Sequence, residues 1–105
     1  DTKTMRKGFH PSFAIHGVQE DGTLRKYPID EWIAAIEKRK AGPDFDPANE
    51  KWDHEFALID VTGDAAIAKI DLHKDGKHIF TDYLSLLELE DGWVITDKVY
   101  HRHTH

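Results

Sequence analysis

The sequence predicts an α+β domain in which helical segments precede a four-stranded antiparallel sheet. Two patterns support this prediction. Residues 30–40 show the apolar spacing of a helix, and residues 53–103 contain four runs rich in β-branched and aromatic residues. The length of 105 residues is enough for one domain and too short for two. We therefore expect a single domain over residues 1–105.

The N-terminal part contains one helix end and one short strand. Residues 1–8, DTKTMRKG, are typical of the end of a helix that a glycine stops. Pro11 then breaks the chain. The apolar stretch FAIHGV at residues 13–18 runs up to a Glu-Asp-Gly turn signal, which predicts a short strand.

The clearest helix is predicted at residues 30–40, DEWIAAIEKRK. Asp30 is a suitable N-cap, and three basic residues suit the C-terminal end of the helix dipole. Gly42 and Pro43 then end the helix. Its apolar stripe consists of Ile29, Trp32, Ile33 and Ile36.

Four strand-like runs follow a polar loop: HEFALIDV, AAIAKIDLH, HIFTDYLSLLELE and WVITDKVYHRH. They are separated by turn signals at Thr62-Gly63-Asp64, Asp75-Gly76 and Asp91-Gly92. An Asp-Gly pair between two such runs is among the strongest short-range signals for a hairpin. These runs therefore predict an antiparallel meander over residues 53–103.

Composition excludes several classes of function. The net charge is −6 and the basic residues are scattered, which argues against nucleic-acid binding. The absence of cysteine excludes disulfides, thiolate metal sites and a cysteine nucleophile. No run of 18 apolar residues exists, so we expect no membrane span. No phosphate-binding loop is present and we expect no cofactor. No signal peptide is visible, so we expect a cytoplasmic protein.

Several local strings resemble a known family. They are FHPSFAIHG with the DG that follows it, EWIAAIEKR, IDVTGDAAIAKI, FTDYLSLLELEDGW and ITDKVYH. In this order they are similar to the putative lumazine-binding family, which belongs to the nuclear transport factor 2-like superfamily with the ketosteroid isomerases and several small dehydratases and cyclases. The resemblance covers nearly the whole chain.

The resemblance implies a curved antiparallel sheet wrapped around helices, which together form a cone with an open mouth. It also implies a homodimer packed through the outer face of the sheet. Members of the superfamily usually begin with a long first helix, and this chain starts about where the second is expected. Either the first helix is absent from this sequence, or another segment covers the core.

The hairpin signals also predict a register. If Asp75-Gly76 and Asp91-Gly92 are two-residue turns, Lys74 lies opposite Lys77 and Glu90 lies opposite Trp93. One face then carries these rows: Ala65, Leu86 and Asp97; Ile67, Leu84 and Val99; Lys69, Asp82 and His101; Asp71, Phe80 and His103; His73, His78 and His105. This face is apolar at one end and rich in histidine at the other, as the inside of a cone would be. A one-residue bulge would invert the faces of a strand.

The opposite predicted face pairs Tyr83 with Tyr100 and has a flat, mixed composition, which favours a dimer interface. The alternative is that both tyrosines are half-buried sheet residues. The remaining rows of this face are Ala66, Ser85 and Lys98; Ile70, Thr81 and Arg102; Leu72, Ile79 and Thr104.

The row of Lys69, Asp82 and His101 contains the candidate catalytic residues. A carboxylate beside an imidazole suits a general base, and Asp82 or the deeper Asp97 could itself be the base. The alternative is a cross-strand ion pair at the edge of the sheet. Whether the protein is an enzyme stays open at this point.

Other residues predict binding. Trp32, Phe80, His16, Trp93 and Lys69 are the candidate ligand-binding residues, because aromatic side chains near the mouth would stack on a flat ligand. A zinc site made of His101, His103 and His78 is a further alternative, although polar histidines at a strand end are the default.

Three functions follow from these observations. The first is a small-molecule-binding domain with a partly apolar pocket. The second is an acid–base enzyme of the isomerase, dehydratase or cyclase type. The third is a structural or interaction domain whose cone is filled by side chains.

Overall fold

Within the described part of the chain, a helix and a curved six-stranded sheet form an α+β fold, as predicted. A computed structural model describes residues 8–43 and 52–103. The helix is α1 (Ile29–Ala41), and the strands are β1 (Ala14–Val18), β2 (Leu24–Pro28), β3 (Asp53–Thr62), β4 (Ala65–Lys74), β5 (Lys77–Leu89) and β6 (Gly92–Arg102). Across the sheet the order is β2-β1-β6-β5-β4-β3, and only β1 and β6 pair in parallel.

The predicted meander over residues 53–103 is confirmed as β3 to β6. The helix α1 precedes these four strands in the chain, as predicted. The strand predicted at residues 13–18 is β1, whereas β2 carried no clear signal. The helix end predicted at residues 1–8 falls outside the described residues except for Gly8, and so does the predicted position of His105.

Helix α1 begins one residue before its predicted start and ends one residue after its predicted end. Its N-cap is Pro28 and no side chain caps it, so the predicted N-cap role of Asp30 is wrong; Asp30 instead lies in the first turn, beside the positive end of the dipole. At the other end, the backbone N–H of Gly42 donates to the carbonyl of Arg39 at 3.2 Å. Within the described ranges, no helix is long and apolar enough to cross a membrane.

The core lies between α1 and one face of the sheet. It consists of Phe13, Ile15, Ile29 and Ile33, and Ile95 and Tyr100 of β6 pack against it. The face that carries Ile15, Ile95 and Tyr100 is therefore called the helix-facing face, and the opposite one the outer face.

One of the two predicted hairpin turns has the predicted register. Lys74 pairs with Lys77, and both Asp75 and Gly76 have positive φ (53° and 78°), as a two-residue turn of this type requires. The other turn lies one residue earlier than predicted. Leu89 pairs with Gly92, so the turn residues are Glu90 and Asp91, and the predicted pairing of Glu90 with Trp93 is wrong.

Three one-residue bulges then change the register of the sheet. Ala57, Ile79 and Thr96 have no partner where the pairing shifts in β3, β5 and β6. Each bulge reverses which side chains of a strand share a face with the neighbouring strand. The predicted pairing of His73 with His78 is confirmed. Beyond the bulges the predicted rows are wrong for β4 and β6: Asp82 lies opposite Ile70 and Tyr100, and Tyr83 lies opposite Lys69 and Val99.

The observed rows define the two faces. On the helix-facing face they are His54, Leu72, Phe80 and Arg102; Phe56, Ile70, Asp82 and Tyr100; Ile59, Ala68, Leu84, Lys98 and Ile15; Val61, Ala66, Leu86 and Ile95. On the outer face they are Glu55, Asp71, Thr81 and His101; Leu58, Lys69, Tyr83, Val99 and His16; Asp60, Ile67, Ser85 and Asp97.

Candidate functional site

A buried ion pair lies in the middle of the helix-facing face. Lys98 Nζ is 3.0 Å from Asp82 Oδ2, and the two side chains are only 20% and 8% exposed. The pair joins adjacent strands, because Asp82 lies on β5 and Lys98 on β6 one row further along. Removing two charges from water is costly, and a buried ion pair often contributes less stability than apolar residues would. The pair therefore places one carboxylate and one ammonium group on this face close to the Trp32 ring of α1.

Aromatic rings surround this ion pair. Lys98 Nζ lies 5.8 Å from the centroid of the Trp32 ring on α1. Tyr100, directly opposite Asp82, has its ring centroid 5.8 Å from that of Phe80 in an edge-to-face arrangement. Rings on two sides of a donor and an acceptor are the features of a site for a flat, partly polar molecule.

Gly17 makes room for the Tyr100 ring. A Cβ atom at Gly17 would lie 2.5 Å from Cε1 and Cζ of Tyr100, closer than any normal contact. The ring therefore packs directly on the backbone of β1. This contact holds Tyr100 beside Asp82 and Phe80.

The same face continues to the end of the sheet near the β4–β5 turn. The ring of Trp52 is 5.9 Å from that of Phe80. Lys74 Nζ is 5.2 Å from the Trp52 centroid, and the Arg102 guanidinium carbon is 6.0 Å from the Phe80 centroid. This end of the helix-facing face is thus both aromatic and basic.

The structure brings three predicted site residues together and separates the others. Trp32, Phe80 and Asp82 border the same region of the helix-facing face. Trp93 shares that face but lies opposite Glu88, next to the β5–β6 turn. The other four predicted site residues, His101, Asp97, His16 and Lys69, lie on the outer face.

Two predicted contacts are therefore wrong. Asp82 does not lie beside His101, because the bulge at Thr96 turns His101 to the outer face, where it pairs with Thr81. Tyr83 does not pair with Tyr100, because Tyr83 is on the outer face and Tyr100 on the helix-facing face. Sequence reasoning missed Lys98, Tyr100 and Arg102 as neighbours of Asp82 for the same reason.

The histidines near the C-terminus belong to a hydrogen-bonded network on the outer face. At its centre is Thr81, which is 7% exposed and donates its hydroxyl proton to Asp71 Oδ1 at 3.0 Å. His78 Nε2 and His103 Nε2 lie 3.0 and 2.8 Å from the same hydroxyl oxygen. His78 Nε2 also lies 3.0 Å from the carbonyl oxygen of Phe80 and 3.1 Å from Asp71 Oδ1, and the direction of each histidine bond follows the tautomer of that ring.

This network differs from the predicted zinc alternative. Nε2 of His78 and Nε2 of His103 both lie within hydrogen-bond distance of the Thr81 hydroxyl, so these two rings converge on a side-chain oxygen. The ring of His101 is 5.0 Å from that of His103 and nearly perpendicular to it. Across residues 8–43 and 52–103, no group of three histidine, aspartate or glutamate side chains has an arrangement that could hold a metal ion.

His16 and Asp97 form a separate contact on the outer face. His16 Nδ1 is 3.0 Å from Asp97 Oδ1, and the same oxygen accepts the backbone N–H of Lys98 at 2.9 Å. The contact ties β1 to β6 where these strands run parallel. Asp97 is thus a link between strands, on the face opposite Asp82.

A shallow hollow lies near the start of α1. It has a volume of about 150 Å³ and is lined by Phe9, Pro11, Ile29 and Asp30. None of the predicted site residues borders it.

Comparisons with known proteins agree with this fold. The model of the family described as "Putative lumazine-binding" matches residues 1–101. The chain belongs to this family. A crystal structure of an NTF2-like protein of unknown function from Shewanella baltica OS155 is 32% identical; the alignment covers 100% of this chain and 80% of that chain, with a TM-score of 0.80. The expected family and the nuclear transport factor 2-like fold are therefore confirmed.

Other solved structures extend the comparison. An NTF2-like protein of unknown function from Silicibacter pomeroyi DSS-3 is 26% identical, with 98% of this chain and 80% of that chain covered and a TM-score of 0.74. A structure described as a putative ketosteroid isomerase from Parabacteroides distasonis ATCC 8503 is 12% identical, with coverage of 99% and 76% and a TM-score of 0.64, and it shows the fold alone. A comparison with curated proteins finds no match.

Proposed function

We propose that this member of the family binds a small molecule between α1 and the helix-facing face of the sheet. The buried ion pair of Asp82 and Lys98 carries the proposal, because it places one acceptor and one donor beside the apolar and aromatic side chains of this face. Trp32 and Tyr100 add rings on which a flat molecule can stack. The family description points to the same class of function.

The exposure of β3 also supports a binding role over a filled structural cone. Phe56 and Ile59 share the face of Asp82, yet they are 63% and 61% exposed among the described residues. Apolar side chains of this size are normally covered in a domain whose interior is filled by its own residues. Part of the helix-facing face is therefore open to another molecule.

The test is to identify the ligand from protein purified in its native state. Wild-type protein and the Asp82→Asn variant would be isolated in parallel, denatured, and the released small molecules compared by mass spectrometry. We expect one compound to be enriched with the wild type and strongly depleted with Asp82→Asn. The control is Asp97→Asn, which removes the same charge from the outer face and should retain the compound. If Asp97→Asn loses the compound equally, or if none is enriched, the proposal is wrong.

Acid–base catalysis is a second candidate, favoured by the pairing of Asp82 with Tyr100. A carboxylate and a phenol on one face can accept and donate protons to the same molecule. His101 and Asp97 have no part in this candidate, because they lie on the outer face. The compound identified above would be incubated with wild-type protein and with Asp82→Asn. Conversion by the wild type alone would support catalysis, and full recovery of the unchanged compound from both would refute it.

The outer face is proposed as the interface of a homodimer. Tyr83, Leu58, Ile67 and Val99 form an exposed apolar surface there. Tyr100 is not part of it. Substituting Tyr83→Glu places a charge at the centre of this surface, and sedimentation at micromolar concentration should then show a monomer where the wild type is a dimer. A wild-type monomer would contradict the proposal.

A further inference from the structure

The aromatic and basic end of the helix-facing face indicates the class of ligand. The rings of Trp52, Phe80 and Tyr100 follow one another at centroid distances of 5.9 and 5.8 Å. Two cations lie over them: Lys74 over Trp52 and Arg102 over Phe80. Because the two rings adjoin, both cations lie at the same end of the face.

These two cations do not pair with carboxylates inside the described part of the chain. No aspartate or glutamate of residues 8–43 or 52–103 lies within ion-pair distance of Lys74 or Arg102. In the two rows of this face that contain Phe80 and Tyr100, the one carboxylate among the described residues is Asp82, and it is paired with Lys98. Among the described residues, Lys74 and Arg102 therefore place two positive charges beside these rings.

A positive region is unexpected in this chain, whose net charge is −6. Two cations close together attract anions, so they direct an anionic molecule to this end of the face. The rings beneath the cations supply an apolar surface for the remainder of that molecule. An uncharged ligand would leave both cations without a function in binding.

We propose that the ligand is a planar aromatic anion, whose carboxylate, sulfonate or phosphate group contacts Arg102 and Lys74 while its ring stacks beside Phe80 and Trp52. The proposal rests on the proposed function and adds the charge of the ligand. Arg102 is the residue that determines specificity, because its planar guanidinium can donate two parallel hydrogen bonds to an oxyanion and Lys74 acts as a point charge.

The test uses two fluorescent probes with the same ring system. 8-Anilinonaphthalene-1-sulfonate carries a sulfonate, and N-phenyl-1-naphthylamine is the same molecule without it. We expect the wild type to bind the anionic probe more tightly. Arg102→Gln should weaken the anionic probe about tenfold, the change expected for one lost charge-assisted contact, and leave the neutral probe within about twofold. Arg102 is exposed, so its substitution should not disturb folding.

Lys69→Gln is the matched control. Lys69 also lies over a ring, with Nζ 5.9 Å from the Tyr83 centroid, but it lies on the outer face. Its loss removes the same charge and the same type of contact, and we expect it to leave the dissociation constants of both probes unchanged. If Lys69→Gln and Arg102→Gln weaken the anionic probe equally, the effect is one of net charge and the proposal is overturned.

A further variant separates this proposal from the proposed function. Trp52→Leu removes a stacking surface and should weaken both probes. If Trp52→Leu weakens both and Arg102→Gln weakens neither, the face binds small molecules but does not select anions, and only the charge inference fails. If neither Trp52→Leu nor Asp82→Asn affects either probe, the probes bind elsewhere, and both proposals fail.

Discussion

Replacing Gly17 with alanine tests whether Tyr100 is held against β1. The new Cβ would lie 2.5 Å from Cε1 and Cζ of the Tyr100 ring, and 2.8 Å from its hydroxyl oxygen. The ring would have to retreat by about 0.9 Å to reach the 3.4 Å at which ordinary contact begins. Phe80 lies edge-on to the ring and the core packs against it, so the retreat displaces other side chains.

The expected cost follows from this overpacking. Inserting a methyl group into a packed region destabilises a protein by about 1–3 kcal/mol. The lower backbone entropy of alanine in the unfolded chain offsets roughly 0.4–1 kcal/mol of that cost. We therefore expect a net loss of about 1–2 kcal/mol in the free energy of unfolding by urea, with Tm lower by roughly 5–15 °C for a domain of this size.

A double-mutant cycle identifies the cause. Removing the ring with Tyr100→Ala should abolish most of the cost of Gly17→Ala, because the close contact no longer exists. Gly8→Ala serves as the control, since no atom lies within 4 Å of a Cβ there; without overpacking, its free energy of unfolding should rise by roughly 0.4–1 kcal/mol. The reasoning fails if Gly17→Ala is as stable as the wild type, or if its cost is the same with and without the Tyr100 ring.

Two further predictions concern charged groups. Lys98→Met should lower the free energy of unfolding at pH 7 by about 3 kcal/mol in urea denaturation, because it leaves the Asp82 carboxylate buried without its partner. Adding Asp82→Leu should recover much of that loss. A double variant no more stable than Lys98→Met would contradict this prediction. At the β1–β2 turn, the Thr23 hydroxyl donates to Asp21 and lowers the pKa of that carboxyl below its ordinary value of 3.8, with a smaller contribution from the Thr23 backbone N–H. Any stability from these bonds is present above the pKa of the unfolded chain and lost as pH falls through the folded value. Thr23→Val should raise the pKa of Asp21 in an NMR titration, and an unchanged titration would refute the assignment.

Local signals in the sequence were sufficient for most of the secondary structure. The apolar stripe and the charged ends of residues 30–40 predict α1, and four β-rich runs between turn residues predict β3 to β6. β2 was not predicted because Leu24–Pro28 is a short edge strand with two basic residues and a final proline, and it lacks a run of buried alternating residues. The N-cap at Pro28 carries no side-chain bond, so a search for capping side chains selects Asp30 instead.

The site was harder to predict than the fold, because it depends on the register of the strands. The bulge residues are Ala57, Ile79 and Thr96, and none of them is a glycine or proline that would mark an irregular strand. A bulge without a local signal can be located only through packing between distant residues. The sequence could place Asp82, Phe80 and Trp32 in one region, because the elements that carry them, β5 and α1, were predicted from local signals. The residues of β6 that lie beside them could not be predicted, because their face depends on the bulge at Thr96.

The bulge at Thr96 determines which chemistry each face of the sheet carries. The end of β6, with the residues that follow it, reads YHRHTH, in which histidines alternate with other residues. With an unbroken register, His101 and His103 would lie on the face of Asp82 and Phe80. Because Thr96 is unpaired, Lys98, Tyr100 and Arg102 lie on the helix-facing face instead. His101 and His103 lie with Asp71 and Thr81 on the outer face. Lysine and arginine therefore stand on the helix-facing face where an unbroken register would have placed imidazoles, which favours recognition of an anion over proton transfer between aspartate and histidine.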